Sequence, residues 1–220
     1  MTGFCLLFFY PFRFRFRRHS LPAMSERDRN ALVVNFFGGP GTGKTTAAAR
    51  LFVELKLRSV DCEMHDEQAR QCIQQGQIGA LDVQPYLFGL QLYKLRTTAK
   101  NTDVVIMDSP LMLNPIYDKA KSLALRALVL EEHRRFRNLN LFCSRPTNAP
   151  HSMVGRVHDL QESIVLDERI KALLQAEGES FREIGEAEAH IRSAADEVER
   201  LITEHRRATW PDFFKDAASR

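Results

Sequence analysis

At 220 residues, 44% of them hydrophobic and 27% charged, the chain is long enough for one sizeable core, and its composition excludes a protein that is fibrous or of low complexity throughout. The formal net charge is +3, yet Arg13, Arg15, Arg17 and Arg18 stand before residue 24 with no acid among them; the remainder therefore carries three minus four, or −1, and overall charge is no argument for nucleic-acid binding. Cys5, Cys62, Cys72 and Cys143 form neither a C-x-x-C pair nor metal-ligand spacing and read as reduced thiols, and no apolar run reaches the roughly 18–20 residues of a membrane-spanning helix.

The first two dozen residues differ from the rest. Phe4 to Phe12 is aromatic and aliphatic, and Arg13 to Arg18 alternates with Phe. A secretory signal would place its basic residues before the apolar core and end in a small-residue cleavage site, the reverse of this order. Phe and Arg suit a membrane surface; the more economical reading is an upstream translation start, with Met24 opening the natural protein and disorder expected before about Arg29.

Ala31 to Phe37 is an apolar run that predicts a strand, and Thr46 to Lys56 predicts a helix with a stripe at Ala48, Leu51, Phe52 and Leu55. Between them lies Gly38-Gly39-Pro40-Gly41-Thr42-Gly43-Lys44-Thr45, the pattern G-x-x-x-x-G-K-[ST] in its required setting of strand, glycine loop and helix. Glycines let such a loop curl around phosphate, while N–H groups and the positive helix end surround the anion. This predicts binding of a nucleoside triphosphate by residues 38–46, Thr46 included. Lys44 reaches the β- and γ-phosphates, and the Thr45 hydroxyl sits on Mg²⁺.

Val60 to His65 reads as a second strand, and Asp66 and Glu67 follow it into a helix. A carboxylate there can accept a proton from an attacking hydroxyl; acids in a first helical turn are also favoured by the dipole alone. Gln84 to Lys100 predicts a helix with Pro85 in its first turn. Gln91 shares its apolar face with Leu87 and Leu95, so its amide needs a buried partner, either a nucleobase edge or another helix. Asp103 to Asp108 is a third strand with the continuous apolar character of a parallel sheet, and Asp108 can hold Mg²⁺ or its waters opposite Thr45. Ser109 follows it, where triphosphatases of the additional-strand class carry a second acid; this favours a kinase over a hydrolytic switch.

Tyr117 to Arg137 reads as helix and Leu139 to Cys143 as a fourth strand. Arg126 and His133 to Arg137 make a basic helix end, explained by the helix dipole or by a nucleic-acid backbone. Arg145 and Arg156 bracket a stretch rich in Pro, Asn and His, which reads either as a solvated loop or as a lid that brings cations over a migrating phosphoryl group. Leu160 to Ala176 predicts a helix, Ser180 to Ile184 a short fifth strand. A long amphipathic helix closes the chain, with its stripe at Ala187, Ile191, Ala194, Val198, Leu201 and Ile202. Strands alternating with helices predict right-handed βαβ units, a parallel sheet, and ligands at the carboxyl ends of its strands.

From about residue 33 to 184 the sequence resembles P-loop kinases of the thymidylate-kinase and deoxynucleoside-kinase group, in the compact form common in bacteriophages. The likeness rests on Asn35 to Thr46, Asp66 to Arg70, Gln91, Asp108 to Leu111, Leu139 to Arg145, and Gly155-Arg156. It implies an α/β, three-layer P-loop NTPase fold of kinase type, with a five-stranded parallel sheet and a lid segment. Residues 29–207 would form the kinase domain, residues 1–28 a disordered or spurious extension, and residues 208–220 a C-terminal tail. ATP and Mg²⁺ are the implied cofactors. Glu67 falls where such kinases activate the acceptor hydroxyl, and Lys44, Arg145 and Arg156 join it as implied catalytic residues, with Gln91 facing the substrate. Some phage enzymes resembling this one phosphorylate 5-hydroxymethyluracil within DNA as a step in base hypermodification. That is the first expectation for the acceptor; a deoxynucleoside monophosphate is the alternative and a non-kinase P-loop ATPase the second. The close acid-and-arginine pair that free-nucleoside kinases carry after Asp-Ser-Pro is not found cleanly. Cytoplasmic localisation (the host's, for a phage protein) and no membrane partner are expected.

Overall fold

The structure, a computed structural model, describes residues 31–145, 160–185 and 187–209. The expectations placed on the N-terminal extension, on Arg156 and on all but the first two residues of the tail lie outside the described residues.

Five parallel strands form one sheet in the order β2-β3-β1-β4-β5. They are β1 (Leu32–Phe37), β2 (Cys62–His65), β3 (Val104–Met107), β4 (Arg137–Cys143) and β5 (Arg182–Ile184). The helices are α1 (Lys44–Leu57), α2 (Gln68–Gln74), α3 (Gln84–Thr98), α4 (Asn114–Tyr117), α5 (Leu123–His133), α6 (Leu160–Ala176) and α7 (Glu188–Thr209). The three-layer α/β P-loop arrangement is as the sequence predicts, with the Asp108-bearing strand beside the strand that feeds the glycine loop.

Side chains of β1 alternate between two cores because successive residues of a strand point to opposite faces. Leu32, Val34 and Phe36 pack with Leu51 and Leu55 of α1 and with Ile191, Ala194 and Val198 of α7. Val33 and Phe37 pack with Phe88 and Leu95 of α3, Leu125 and Val129 of α5, and Ile170 and Leu174 of α6. Between them Asn35 interrupts the apolar run at only 2% exposure. Its Nδ2 donates to Asn138 Oδ1 and to Asn140 Oδ1, both at 3.0 Å, across the β1–β4 pair. Those asparagines in turn donate to the backbone carbonyls of His133, Phe136 and Ser180, so the buried amides are chained together rather than stranded.

Several boundaries differ from expectation. Of the helix read over Tyr117 to Arg137 only Leu123–His133 is helical beyond Tyr117, the last residue of α4, because the Asp118 carboxylate accepts N–H bonds from Ala120 and Ser122, Lys121 turns at φ 49°, and Ser122 caps α5 by accepting the Leu125 N–H. Arg137, read as the last residue of that helix, opens β4 instead. Val60 does not start β2: Ser59 turns at φ 61° and the Val60 N–H closes the end of α1 on Leu55 O, so the strand begins at Cys62. Ala187, placed in the stripe of the last helix, is exposed and precedes it. Arg58 joins α1 to α7 through Asp196 (2.6 Å) and Glu199 (2.8 Å) while holding Glu54 on its own helix.

Candidate functional site

At the carboxyl edge of the sheet the glycine loop leaves β1 through left-handed turns that only glycine adopts readily, φ 136° at Gly38, 84° at Gly41 and 81° at Gly43. A Cβ on Gly38 would lie 2.6 Å from Thr42 Oγ1 and 3.1 Å from Cys143 O. On Gly39 it would meet Ser163 O at 2.7 Å and Asp167 Oδ1 at 2.8 Å: this glycine is needed because α6 passes directly against the loop. Within the loop Lys44 Nζ and Thr42 Oγ1 both donate to Gly39 O, at 2.9 and 3.0 Å. Burial pulls the Lys44 pKa down, opposed chiefly by Asp108 and then by Glu67.

Asp108 follows β3 at 3% exposure. Thr45 Oγ1 donates to its Oδ2 at 2.7 Å; its Oδ1 is buried and has no partner among the described residues. Burial raises its pKa, while the Thr45 hydrogen bond, Lys44 and Arg70 lower it. A carboxylate with an unsatisfied oxygen beside a threonine hydroxyl fits Mg²⁺, which takes one or two protein oxygens and completes its shell with water and phosphate. No cluster of three or more His, Cys, Asp or Glu side chains suited to a metal occurs among the described residues.

Glu67 is the N-cap of α2, yet its side chain makes no capping bond, so the carboxylate is not consumed by the helix end. It stands 3.7 Å from Arg70 Nη2 and acts electrostatically on both Lys44 and Tyr117. Burial, with Glu67 and Asp167 adding to it, pushes the Tyr117 hydroxyl up to about 12. Gln91 is buried and its Oε1 accepts from Asn114 Nδ2 at 2.7 Å, a bond from α3 to the start of α4. Thr46, half a turn into α1, lines a cavity of about 290 Å³ with Thr42, Gly43, Arg50, Cys143 and Gly185. A second cavity, about 300 Å³, opens at the opposite rim beside Asp61, Asp103 and Arg206 and touches none of these groups.

Arg145 follows β4, and Nε and Nη2 donate to Asp167 Oδ2 at 3.1 and 2.9 Å while Nη1 donates to Pro40 O at 3.0 Å. Sequence reasoning missed Asp167. Its signal was an acid inside the buried face of α6, in step with Ser163, Leu166, Ile170 and Leu174. Tyr117, Arg50 and Gly185 were missed as well and carry no such signal. The basic helix end is internally compensated: Arg126 bonds Glu177, Arg134 faces Glu177 and Glu179, and Arg135 pairs with Glu131 and Glu132.

A family model described as AAA domain matches residues 33–192, from β1 into α7. The chain belongs to the AAA domain family. Residues 33–192 thus form a P-loop, nucleotide-binding domain of the ATP-binding kind. No curated protein matches this AAA domain chain. Among solved structures it is similar to a NadR protein in complex with NR, at 20% identity over 79% of this chain and 52% of that one, with a TM-score of 0.60; the chain spans about half the length of that protein. APE1195 aligns at 19% identity over 80% of this chain and 96% of that one with a TM-score of 0.37. The likeness to NadR is one of fold, the P-loop arrangement that kinases also use. No helix among the described residues is long and apolar enough to cross a membrane.

Proposed function

We propose that this AAA domain protein is an ATP-dependent phosphotransferase with an alcohol or a phosphate as its acceptor. The observation that carries the reading is the placement of an uncapped, solvent-reaching Glu67 carboxylate in the electrostatic range of Lys44, with Asp108 and Thr45 bonded to each other beside the loop. The loop amides and Lys44 hold the triphosphate. Thr45 and Asp108 would hold Mg²⁺, which when bound neutralises phosphate charge. With an alcohol acceptor, Glu67 accepts the proton of the hydroxyl as its oxygen attacks the γ-phosphorus; with either acceptor the new O–P bond forms, the bond to the β-phosphate oxygen breaks, and ADP leaves. Arg145, joined by Arg156, offsets charge on the migrating group.

The acceptor to which the sequence resemblance points is the hydroxymethyl group of 5-hydroxymethyluracil in DNA, a base that must leave the duplex stack to be reached. The arginines of the α5 end favour a second reading, a free deoxynucleoside monophosphate, since Arg126, Arg134 and Arg135 are already ion-paired with Glu131, Glu132, Glu177 and Glu179. Either substrate places the protein in a cytoplasm, the host's for a phage enzyme.

Incubation with γ-labelled ATP, Mg²⁺, hydroxymethyluracil-containing DNA and a panel of free nucleosides and nucleotides decides between them. Label on DNA supports the first acceptor and label on a free nucleotide the second; phosphate release with no labelled acceptor leaves an ATPase and sinks both. Lys44→Ala and Asp108→Ala are expected to lose transfer by about 10²–10³ or more while staying folded.

A further inference from the structure

Three segments distant in sequence meet at one carboxylate. One Asp167 oxygen accepts the N–H of Gly39 in the phosphate loop. The other accepts two N–H bonds from Arg145 at the end of β4, and Arg145 returns to the loop through Pro40 O. The pair is largely enclosed, with side-chain exposures of 17% for Arg145 and 11% for Asp167, so the bonds act with little screening. Three of the five guanidinium N–H groups are engaged, which fixes the plane of the fork against the rim of the loop. An unpaired arginine at this place would have to be ordered each time an anion binds; here the ordering is built in. The carboxylate also lies close enough to bear on Lys44, so an acid stands beside a site for a polyanion, an arrangement that repels the ligand unless its charge is spent on a cation.

We infer that Asp167 is a positioning residue: it orients Arg145 toward the triphosphate and ties α6 to the phosphate loop, acting on the nucleotide through Arg145. This rests on Arg145 facing the triphosphate, as the proposed function has it, but needs no acceptor and no turnover. The loop's second-residue N–H is committed to Asp167, so anion binding falls to the later amides and to Arg145.

Titration calorimetry of MgATP into the full chain tests it, because binding is read without catalysis. Arg145→Ala is expected to weaken MgATP by roughly tenfold, the worth of one charge-assisted hydrogen bond. Asp167→Asn keeps an acceptor for Gly39 but loses the charge that holds the guanidinium, and is expected to weaken it by a similar factor. The double variant is expected to be no weaker than Arg145→Ala alone, since both substitutions remove one device; two independent contributions would give losses that multiply, to about a hundredfold. Multiplying losses, or an Asp167→Asn affinity within about twofold of the parent while Arg145→Ala is impaired, overturns the inference alone. Parent-like binding by Arg145→Ala overturns it together with the role given to Arg145 in transfer. Should Asp167→Asn lack a cooperative thermal transition, Arg145→Lys replaces it: its single ammonium cannot bridge Asp167 and Pro40 as the fork does, so an affinity near that of Arg145→Ala supports the inference and parent affinity overturns it.

Discussion

Gly39 has no conformational reason to be glycine; it has a neighbour. The absent Cβ leaves room for Ser163 O and for the Asp167 carboxylate, and neither can retreat without moving α6. Gly39→Ala is therefore expected to destabilise the fold by about 1–3 kcal/mol through overpacking, read as a lowered urea midpoint with unchanged slope. A midpoint equal to the parent's would mean that α6 stands further from the loop than the structure has it. Asp108 shows the complementary case, a buried carboxylate oxygen without a partner among the described residues. Such an orphan is tolerated where a ligand completes it.

The elements of the sheet depend on polar as much as apolar pairing. Apolar strands can slip against each other at small cost, but the Asn35 amide reaches two acceptors only in the observed β1–β4 register. Asn35→Ala is expected to cost about 1–3 kcal/mol for the buried acceptors it strands, measured by thermal or urea unfolding; a loss below about 0.5 kcal/mol, the range of an ordinary surface change, would show that water takes over both bonds. The strands and helices were legible in the sequence wherever one period ran uninterrupted, as in Leu160 to Ala176 and the run ending at Asp108. They were misread where a side chain diverts the backbone. Asp118 and Ser122 end one helix and start another inside a pattern whose apolar spacing continues, and Ser59 and Val60 close α1 with a turn that resembles the start of a strand. The glycine loop was legible because its chemistry is local. The Arg145–Asp167–Gly39 junction was not, since three residues up to 128 positions apart meet only through the packing of α6, and the neutral character of the α5 arginines depends on Glu177 and Glu179 arriving from α6 and its exit.

For the whole molecule, the stability curve against pH carries a buried histidine. His65 ends β2 at 4% exposure, its Nε2 is 2.9 Å from Thr98 Oγ1, and burial, with Lys94 adding to it, lowers its pKa to about 4. The folded pKa lies below the unfolded value near 6.5, so the unfolded chain binds the proton first. The stabilisation is complete above about pH 6.5 and is lost as pH falls toward 4, with a slope approaching about 1.4 kcal/mol per pH unit in between. His133, also held neutral by burial although Glu179 pulls the other way, changes stability in the same sense, and Asp108, raised by burial, in the opposite one. Denaturant titrations from pH 7 to 4.5 check the sum; His65→Leu is expected to flatten the curve relative to the parent, and an unchanged slope would place the titrating group elsewhere.

The lysine bonded to Gly39 O has one more consequence, thermodynamic rather than chemical. A loop braced by its own lysine, by Thr42 and from outside by Asp167 holds its curvature unaided, so nucleotide binding exchanges one acceptor of the lysine for another instead of folding a segment. Association of this kind loses little chain entropy and buries little new apolar surface. Its heat-capacity change is accordingly expected to be small in titration calorimetry, and its rate to be set by encounter rather than by the ordering of the loop.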